Sequence, residues 1–182
     1  MRWTIFGERS VYESDWVGVS LVDLQPPGGQ RFEHHVVRTP GPAVGTVLED
    51  PRRGLLMLWR HRFITDTWGW EIPAGRVDEG ETPAAAAARE ALEETGWRPG
   101  PMRLALQCHP ANGLMDQVYH IFHAQGGEYV GPPTDAYESE KVEWIPVSDL
   151  RGIIQSGEMK DGLSLVAVLH RLALPPGDHK SG

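Results

Sequence analysis

Apolar and polar positions alternate from Trp16 to Leu24 and again from Arg31 to Arg38, on either side of Pro26-Pro27-Gly28-Gly29. Period-two patterning around a Pro/Gly cluster predicts a β-hairpin. Two more strands follow, AVGTVLED and GLLMLWRHRF, separated by the turn DPRRG. The run Leu55 to Leu58 is apolar throughout and short, which marks a buried central strand. WGWEIPAG predicts a short extended piece ending in a Pro-Ala-Gly turn. An Ala-rich helix comes next, then strands near Met102 to Cys108, Gln117 to Ala124 and Lys141 to Ile145. In PVSDLRGIIQSG, Ser148 is placed to cap a short helix. The last helix, about Asp161 to Leu174, carries the apolar set Leu163, Val166, Ala167, Leu169 and Leu172. Pro175-Pro176-Gly177 ends it before a frayed polar tail. Strands outnumber helices and do not alternate with them regularly, so the class expected is α+β. No repeat or linker interrupts the chain. The divisions expected are an N-terminal strand region (1–40), a main domain (41–174) and a flexible tail (175–182).

At 182 residues the chain can bury a sizeable core. Its net charge of −8 argues against general nucleic-acid binding, which wants a basic face. An acidic protein acting on an anionic substrate needs bound cations to reverse the local field. The lone Cys108 can form no internal disulfide. MRWTIFGERS does not read as a signal peptide, and no apolar run approaches membrane-spanning length. The expectation is a cytoplasmic protein with neither a nucleic-acid nor a membrane partner.

The stretch GRVDEGETPAAAAAREALEETGW, Gly75 to Trp97, carries the chemistry. Thr82 is an N-cap hydroxyl followed by Pro83 at the first helical position. Ala84 to Ala88 favour helix without bulk, so neighbouring backbone can approach closely. Gly96 suits the left-handed position after the helix, with Trp97 packing back on Leu92. Glu90, Glu93 and Glu94 share one helix face. Like charges at these spacings cost about 0.2–0.5 kcal/mol per pair, and the C-terminal end of a helix disfavours negative charge. A hard cation relieves both penalties, and carboxylate oxygens suit Mg²⁺ or Mn²⁺ rather than zinc.

Gly75, five residues, Glu81, seven residues, then Arg89-Glu90-Ala91-Leu92-Glu93-Glu94-Thr95-Gly96-Trp97 resembles the Nudix box, with every polar and glycine position matched. Ala91 alone departs, being smaller than the usual aliphatic residue. The resemblance implies an α/β/α sandwich around a mixed β-sheet, with the N-terminal antiparallel strands added. It also implies hydrolysis of a nucleoside diphosphate linked to another group. Glu90 and Glu94 would ligate Mg²⁺, or Mn²⁺ as a substitute, with Glu93 supporting and the Ala74 carbonyl adding a ligand. Arg89 and Glu81 would brace the loop against the helix. Glu93→Gln or Glu94→Gln is expected to reduce turnover greatly and leave the fold intact.

From about Trp16 to Leu172 the chain is similar to the ADP-ribose pyrophosphatase branch, through RFEHHVVRTPGPAVGTVLED, LLMLWRHRF and WGWEIPAG. That likeness implies a homodimer with exchanged N-terminal strands. It implies substrate contact by Arg62, with Arg60 nearby and Glu71 as a polar substrate-site position. In DAYESEKVEWIP, Glu138 is the choice for general base or water-orienting residue and Glu140 for a further metal ligand; which of the two orients the water stays open. The branch's Ser-Pro-Gly is replaced by His109-Pro110-Ala111-Asn112-Gly113, then Asp116-Gln117, which keeps Pro110 at the substrate side but weakens ADP-ribose as the specific substrate. ADP-ribose or a related nucleoside diphosphate sugar is expected. GDP-mannose, a dinucleotide, or a non-catalytic nucleotide sensor are the alternatives, and the full set of box carboxylates speaks against the sensor. Trp68 and Trp70 either stack on a base, pack at an edge or make a dimer contact. His61, His109, His120 and His123 lack ligand spacing and read as structural or surface groups.

Overall fold

A computed structural model of the chain describes residues 1–135 and 137–174, which divide into two units. The expected tail and the Pro175-Pro176-Gly177 stop lie outside the described residues.

The first unit comprises residues 1–42 and 109–118. Strands β1 (Thr4–Glu13), β2 (Gly18–Gln25) and β3 (Phe32–Arg38) form an antiparallel sheet in that order. The hairpin β2–β3 follows the alternation in the sequence, with Ser20, Val22 and Leu24 buried on one face. Strand β1 was not anticipated. All ten of its residues are exposed, and two register shifts, between Ile5 and Gly7 and between Ser10 and Tyr12, break any period-two signal. Ladder bonds and ion pairs hold it, Arg38 to Glu8 at 2.6 Å and Arg9 to Glu33 at 3.0 Å. Segment 109–118 joins this sheet through the Val37 N–H to the Leu114 carbonyl at 2.8 Å.

The second unit comprises, among the described residues, 43–108, 119–135 and 137–174. Its mixed sheet is built on β4 (Ala43–Asp50), β5 (Gly54–Arg62), β9 (Met102–Cys108), β10 (Tyr119–Gln125) and β12 (Lys141–Ile145), in the order β12-β5-β4-β10-β9. Only the β4–β10 pair in this unit is parallel among the described pairings. Strand β6 (Thr67–Glu71) pairs with β5, and β7 (Ala74–Arg76) pairs with β4. The Pro-Ala-Gly segment therefore does not end in a turn: Ala74 and Gly75 continue as strand, because β4 offers them an open edge. Short strands β8 (Trp97–Pro99) and β11 (Gly127–Tyr129) form a separate ribbon.

Helices cover both faces of the sheet. Helix α1 (Pro83–Thr95) sets Ala86 and Ala87 against Val44 and Phe122, and the small side chains let Thr46 Oγ1 donate to the Ala87 carbonyl at 2.9 Å. Thr82 caps α1 by accepting the Ala85 N–H. Gly96 ends it at φ 74°, where a Cβ would overlap the Gly131 carbonyl. Ala91 is fully buried. Trp97 joins Trp144 and Tyr129, at ring separations of 5.2 and 5.5 Å, and the partly buried edge of the Leu48–Leu56 cluster. The opposite face packs Val47, Leu55, Met57 and Ile121 against α2 (Leu150–Ser156) and α3 (Gly162–Ala173) through Leu150, Leu163, Ala167 and Val168. Two local expectations are corrected here. Asp149, not Ser148, occupies the N-cap of α2, and the Ser148 hydroxyl donates to the Asp149 carboxylate at 2.8 Å. Val166 and Leu169 face outward on α3, at 38% and 50% exposure. Among the described residues no helix is long and apolar enough to cross a membrane.

On the α3 face, Glu49 accepts from Arg171 at 2.5 and 2.6 Å and pairs with the buried His123 at 2.8 Å. Burial alone would push this carboxyl up, but the bonds from Arg171 and His123 outweigh it and hold Glu49 at about 2. A depressed carboxyl favours the folded state above its ordinary pKa of 4.5, and that contribution is lost as pH falls from there toward 2. Glu49→Gln should therefore be roughly 3 kcal/mol less stable than wild type at pH 7, since it takes the anion from the part-buried Arg171. Urea unfolding across pH should show the difference shrinking below pH 4.5.

Candidate active site

Helix α1 carries its three carboxylates into different surroundings. Glu94 is 2% exposed; its Oε1 accepts from Arg60 Nη2 at 2.5 Å and its Oε2 from the Ala74 N–H at 2.8 Å. Arg60, on β5, is itself 3% exposed and stands 3.6 Å from Glu138, which lies in the segment before β12. The Arg60 Nε finds no hydrogen-bond partner among the described residues. Glu90 and Glu93 both accept from Arg89 Nη1, at 2.8 and 3.0 Å.

Arg89 ties loop to helix. Its Nε and Nη2 grip the two oxygens of Glu81 at 3.1 and 3.0 Å, Nη2 also reaches the Arg76 carbonyl at 3.1 Å, and Asp78 lies 3.7 Å away. The Glu81 bonds raise the Arg89 guanidinium well above its ordinary range, and Arg89 in turn lowers Glu81. Gly75 explains how Glu90 fits: a Cβ at that position would occupy the space of the Glu90 carboxylate.

Burial dominates the electrostatics of the cluster. It pushes Glu94 up to about 7 against the pull of Arg60 and the Ala74 N–H. It also raises Glu90, where Arg89 opposes it and the charges of Glu93 and Glu138 add to it. Desolvated, mutually repelling carboxylates are the condition that an added cation relieves.

Beside the cluster, Arg62 follows Arg60 on the same face of β5 and makes a two-point pair with the buried Glu71, Nε at 3.0 Å and Nη2 at 2.6 Å. Glu140 is exposed, with its backbone N–H on the Trp59 carbonyl at 2.9 Å. Pro110 is an exposed turn residue of the first unit, where Asp116 binds the Thr39 N–H at 2.9 Å and Arg38 at 3.3 Å. The structure thus gathers Arg60, Glu81, Arg89, Glu90, Glu93, Glu94 and Glu138 in one unit, with Arg62 and Glu71 alongside. Trp70 packs on Trp59 at 5.3 Å and is 8% exposed, while Trp68 is 44% exposed. His123 is buried against Glu49 and His61 pairs with Asp66 at 3.0 Å. Sequence reasoning missed the Arg76 carbonyl and Asp78 as partners of Arg89, and the Arg60–Glu94 pair. Those pairings join residues distant along the chain and leave no spacing signal.

Residues 39–163 match the family model of the NUDIX domain, and the chain belongs to the Nudix hydrolase family. It is 43% identical over 174 residues to the CMP-5'-(N-acetyl-N-hydroxy-3-aminopropyl)phosphonate hydrolase of Streptomyces rubellomurinus, covering 96% of this chain and 84% of that one. It is 29% identical over 157 residues to an ADP-ribose pyrophosphatase of Mycobacterium tuberculosis, covering 85% of this chain and 75% of the relative. A crystal structure of an ADP compounds hydrolase superposes with a TM-score of 0.83 at 20% identity, covering 95% of this chain and 94% of the other, and so shares the fold.

Nudix enzymes generally use divalent metal ions. Among the described residues no three His, Cys, Asp or Glu side chains stand together as a ready metal cage; Arg60 and Arg89 supply the positive charge among the carboxylates. The donor chemistry nonetheless fits a hard cation. The available side-chain donors are carboxylate oxygens, burial and mutual repulsion have raised Glu90 and Glu94, and Gly75 leaves the room that the Glu90 carboxylate uses.

Proposed function

We propose that this chain hydrolyses the phosphoanhydride of ADP-ribose or a related nucleoside diphosphate sugar, releasing a nucleoside monophosphate and a sugar phosphate. The observation that carries this reading is the carboxylate cluster of α1, with Glu94 buried and Glu90 and Glu93 part-buried, cross-braced by Arg60 and Arg89, with Glu138 at 3.6 Å from Arg60. Glu90 and Glu94 would hold Mg²⁺, or Mn²⁺ in its place, with Glu93, the Ala74 carbonyl and Glu140 as further ligands. The chemistry such a cation supplies when bound is charge neutralisation of the diphosphate and Lewis acidity toward water. Arg89 keeps Glu90 and Glu93 on one side of a single guanidinium, so that their oxygens stay fixed as charge shifts. Glu138 is 44% exposed and acceptor-rich, which suits it to orient the attacking water and take its proton. Arg62 spends Nε and Nη2 on Glu71, and its Nη1 edge is the part available to a phosphate oxygen.

A second substrate reading rests on the 43% identity to the phosphonate-nucleotide hydrolase over almost the whole chain. In it the group beyond the reacting phosphorus is joined through a phosphonate rather than a sugar phosphate. The first unit would carry the homodimer contact, with residues 1–40 exchanged and Pro110 facing substrate, and the protein would work in the cytoplasm. The test is nucleoside monophosphate release from ADP-ribose, GDP-mannose, a dinucleotide and a CMP-phosphonate, compared by kcat/KM with Mg²⁺ and with chelator. Release from at least one substrate, lost on chelation, is expected. Tight nucleotide binding with no release across the panel would replace the hydrolase by a sensor. Sedimentation reads the dimer separately.

A further inference from the structure

Arg62 and Glu71 also form part of a cavity of about 500 Å³ between the loop after β5 and the start of α3. That volume lies within the range of small-molecule pockets, roughly 300–1,000 Å³. Its walls combine two unlike chemistries. Phe63 and Ile64, at the tip of the β5–β6 hairpin, are each 83% exposed, and Trp68 beside them is 44% exposed. Turn tips are ordinarily furnished with small polar residues, so adjacent large apolar side chains at one mark a contact surface. The tip is nevertheless tied down: His61 pairs with Asp66 and the Thr65 and Thr67 hydroxyls bond at 2.8 Å.

The second chemistry is cationic. Both carboxylates in the wall are committed, Glu71 to Arg62 and Asp161 to the Ser164 N–H and hydroxyl at the start of α3. Lys160 donates to the Trp68 carbonyl, at 3.3 Å, and among the described residues no carboxylate stands at bonding distance from its charge. Arg62 links the cavity to the carboxylate cluster. It stands two residues beyond Arg60 on one strand face, about 6.4–6.8 Å along β5. The Glu71 bonds, and then the charges of Asp161 and Glu94, raise its guanidinium above the ordinary range, which agrees with a place between the two sites.

We propose that this cavity binds the distal phosphorus of the substrate together with the group it carries, and that its ligand is a small organophosphate or organophosphonate, anionic at the head and apolar along a short carbon body. The head meets Arg62 and Lys160; the body lies against Phe63, Ile64 and Trp68. This rests on the hydrolase reading above, in its second, phosphonate form, and adds which side of the diphosphate the cavity serves. A neutral nucleobase would gain nothing from the two cations.

Calorimetric titration of the full-length protein with methylphosphonate, n-propylphosphonate and cytidine tests this, in the presence of Mg²⁺. Two additional buried methylenes should make propylphosphonate bind about tenfold tighter than methylphosphonate. Phe63→Ser with Ile64→Ser should abolish that preference while retaining methylphosphonate binding, and Lys160→Ala should weaken both phosphonates by a similar factor. Both tip residues are exposed, so unchanged thermal unfolding is expected of these variants. Equal affinities for the two phosphonates in wild type, or an undiminished preference in the double variant, would overturn the proposal. So would cytidine binding that displaces propylphosphonate and is lost in the double variant, which assigns the cavity to the base. A chain-length preference without turnover on any substrate sinks the hydrolase reading and leaves the cavity's ligand class standing; turnover without the preference does the reverse.

Discussion

Glu94→Gln should lower turnover by about 10³-fold, matching the several kcal/mol of transition-state stabilisation that a catalytic cation supplies, and should leave stability at pH 7 within about 2 kcal/mol of wild type. Two opposed effects meet at this carboxyl. Glu94 and Arg60 are 2% and 3% exposed and paired at 2.5 Å, so an amide takes the anion from a buried guanidinium. Burial nevertheless pushes the Glu94 carboxyl up to about 7 from its ordinary 4.5. A carboxyl raised in the folded state opposes folding increasingly as pH rises from 4.5 toward 7, and a neutral amide removes that opposition. The stability difference should therefore move in favour of Glu94→Gln across that window. Glu90→Gln is the control. Its carboxylate shares Arg89 with Glu81 and Glu93, so the guanidinium keeps partners and stability should change by less than about 1 kcal/mol. Turnover should still fall by about 10²-fold or more. Adding Arg60→Met to Glu94→Gln should raise stability and restore none of the turnover, since an apolar side chain of similar volume removes the unpaired charge. Urea unfolding across pH and nucleoside monophosphate release separate the two effects. Near-normal turnover in folded Glu94→Gln would remove Glu94 from the mechanism, and a loss of stability that grows with pH would mean that Arg60 depends on the Glu94 anion.

The difference between what was legible along the chain and what was not follows the range of the interactions. Helix α1 could be bounded to the residue because its start and stop are local chemistry, Thr82-Pro83 at one end and a left-handed Gly96 at the other. The central strand β5 was legible because both of its faces are covered, leaving an unbroken apolar run. Strand β7 was not, because Pro73, Ala74 and Gly75 read locally as a turn and become strand only by pairing with β4. Strands β8 and β11 are each three residues long and stabilise one another across some thirty residues of chain, too short for any periodicity to register. Helix α3 shows a subtler failure. Helical spacing selects Val166 and Leu169, yet the buried stripe runs through Leu163, Ser164, Ala167 and Val168. Ser164 takes a core position because its hydroxyl accepts the Ile72 N–H at 3.1 Å and donates to Asp161 at 2.7 Å, satisfying a buried donor that an apolar residue would orphan. Within the candidate site, residue types and spacing on α1 were legible from the box. The partition of Glu94 to Arg60, and of Glu90 and Glu93 to Arg89, depends on where β5 and the Gly75–Glu81 loop pass the helix.

Gly75→Ala should lower activity with no cost to stability. Gly75 does not sit in the left-handed region, so alanine can adopt its backbone conformation without strain. Restricting the unfolded chain would then favour the folded state by about 0.4–1 kcal/mol. The nearest obstacle to the new Cβ is the carboxylate of Glu90, whose Cδ and both oxygens lie in the space it would fill. Because that obstacle is the far end of a flexible side chain and not backbone, the clash is relieved by turning Glu90 aside. The strand pairing of Gly75 with Val44 can stay as it is. The movement takes a proposed ligand away from its place beside Arg89, where displacements of about 1 Å can cost 10²-fold in rate. The expected result is a protein at least as stable as wild type to within about 1 kcal/mol, with turnover lowered by about 10²-fold. A chelator titration adds a readout that bulk stability does not move: the variant should need more Mg²⁺ for half-maximal activity. Full activity in Gly75→Ala would mean that the position of the Glu90 carboxylate is not critical, and a large loss of stability would mean that the clash is borne by the backbone of β7 instead.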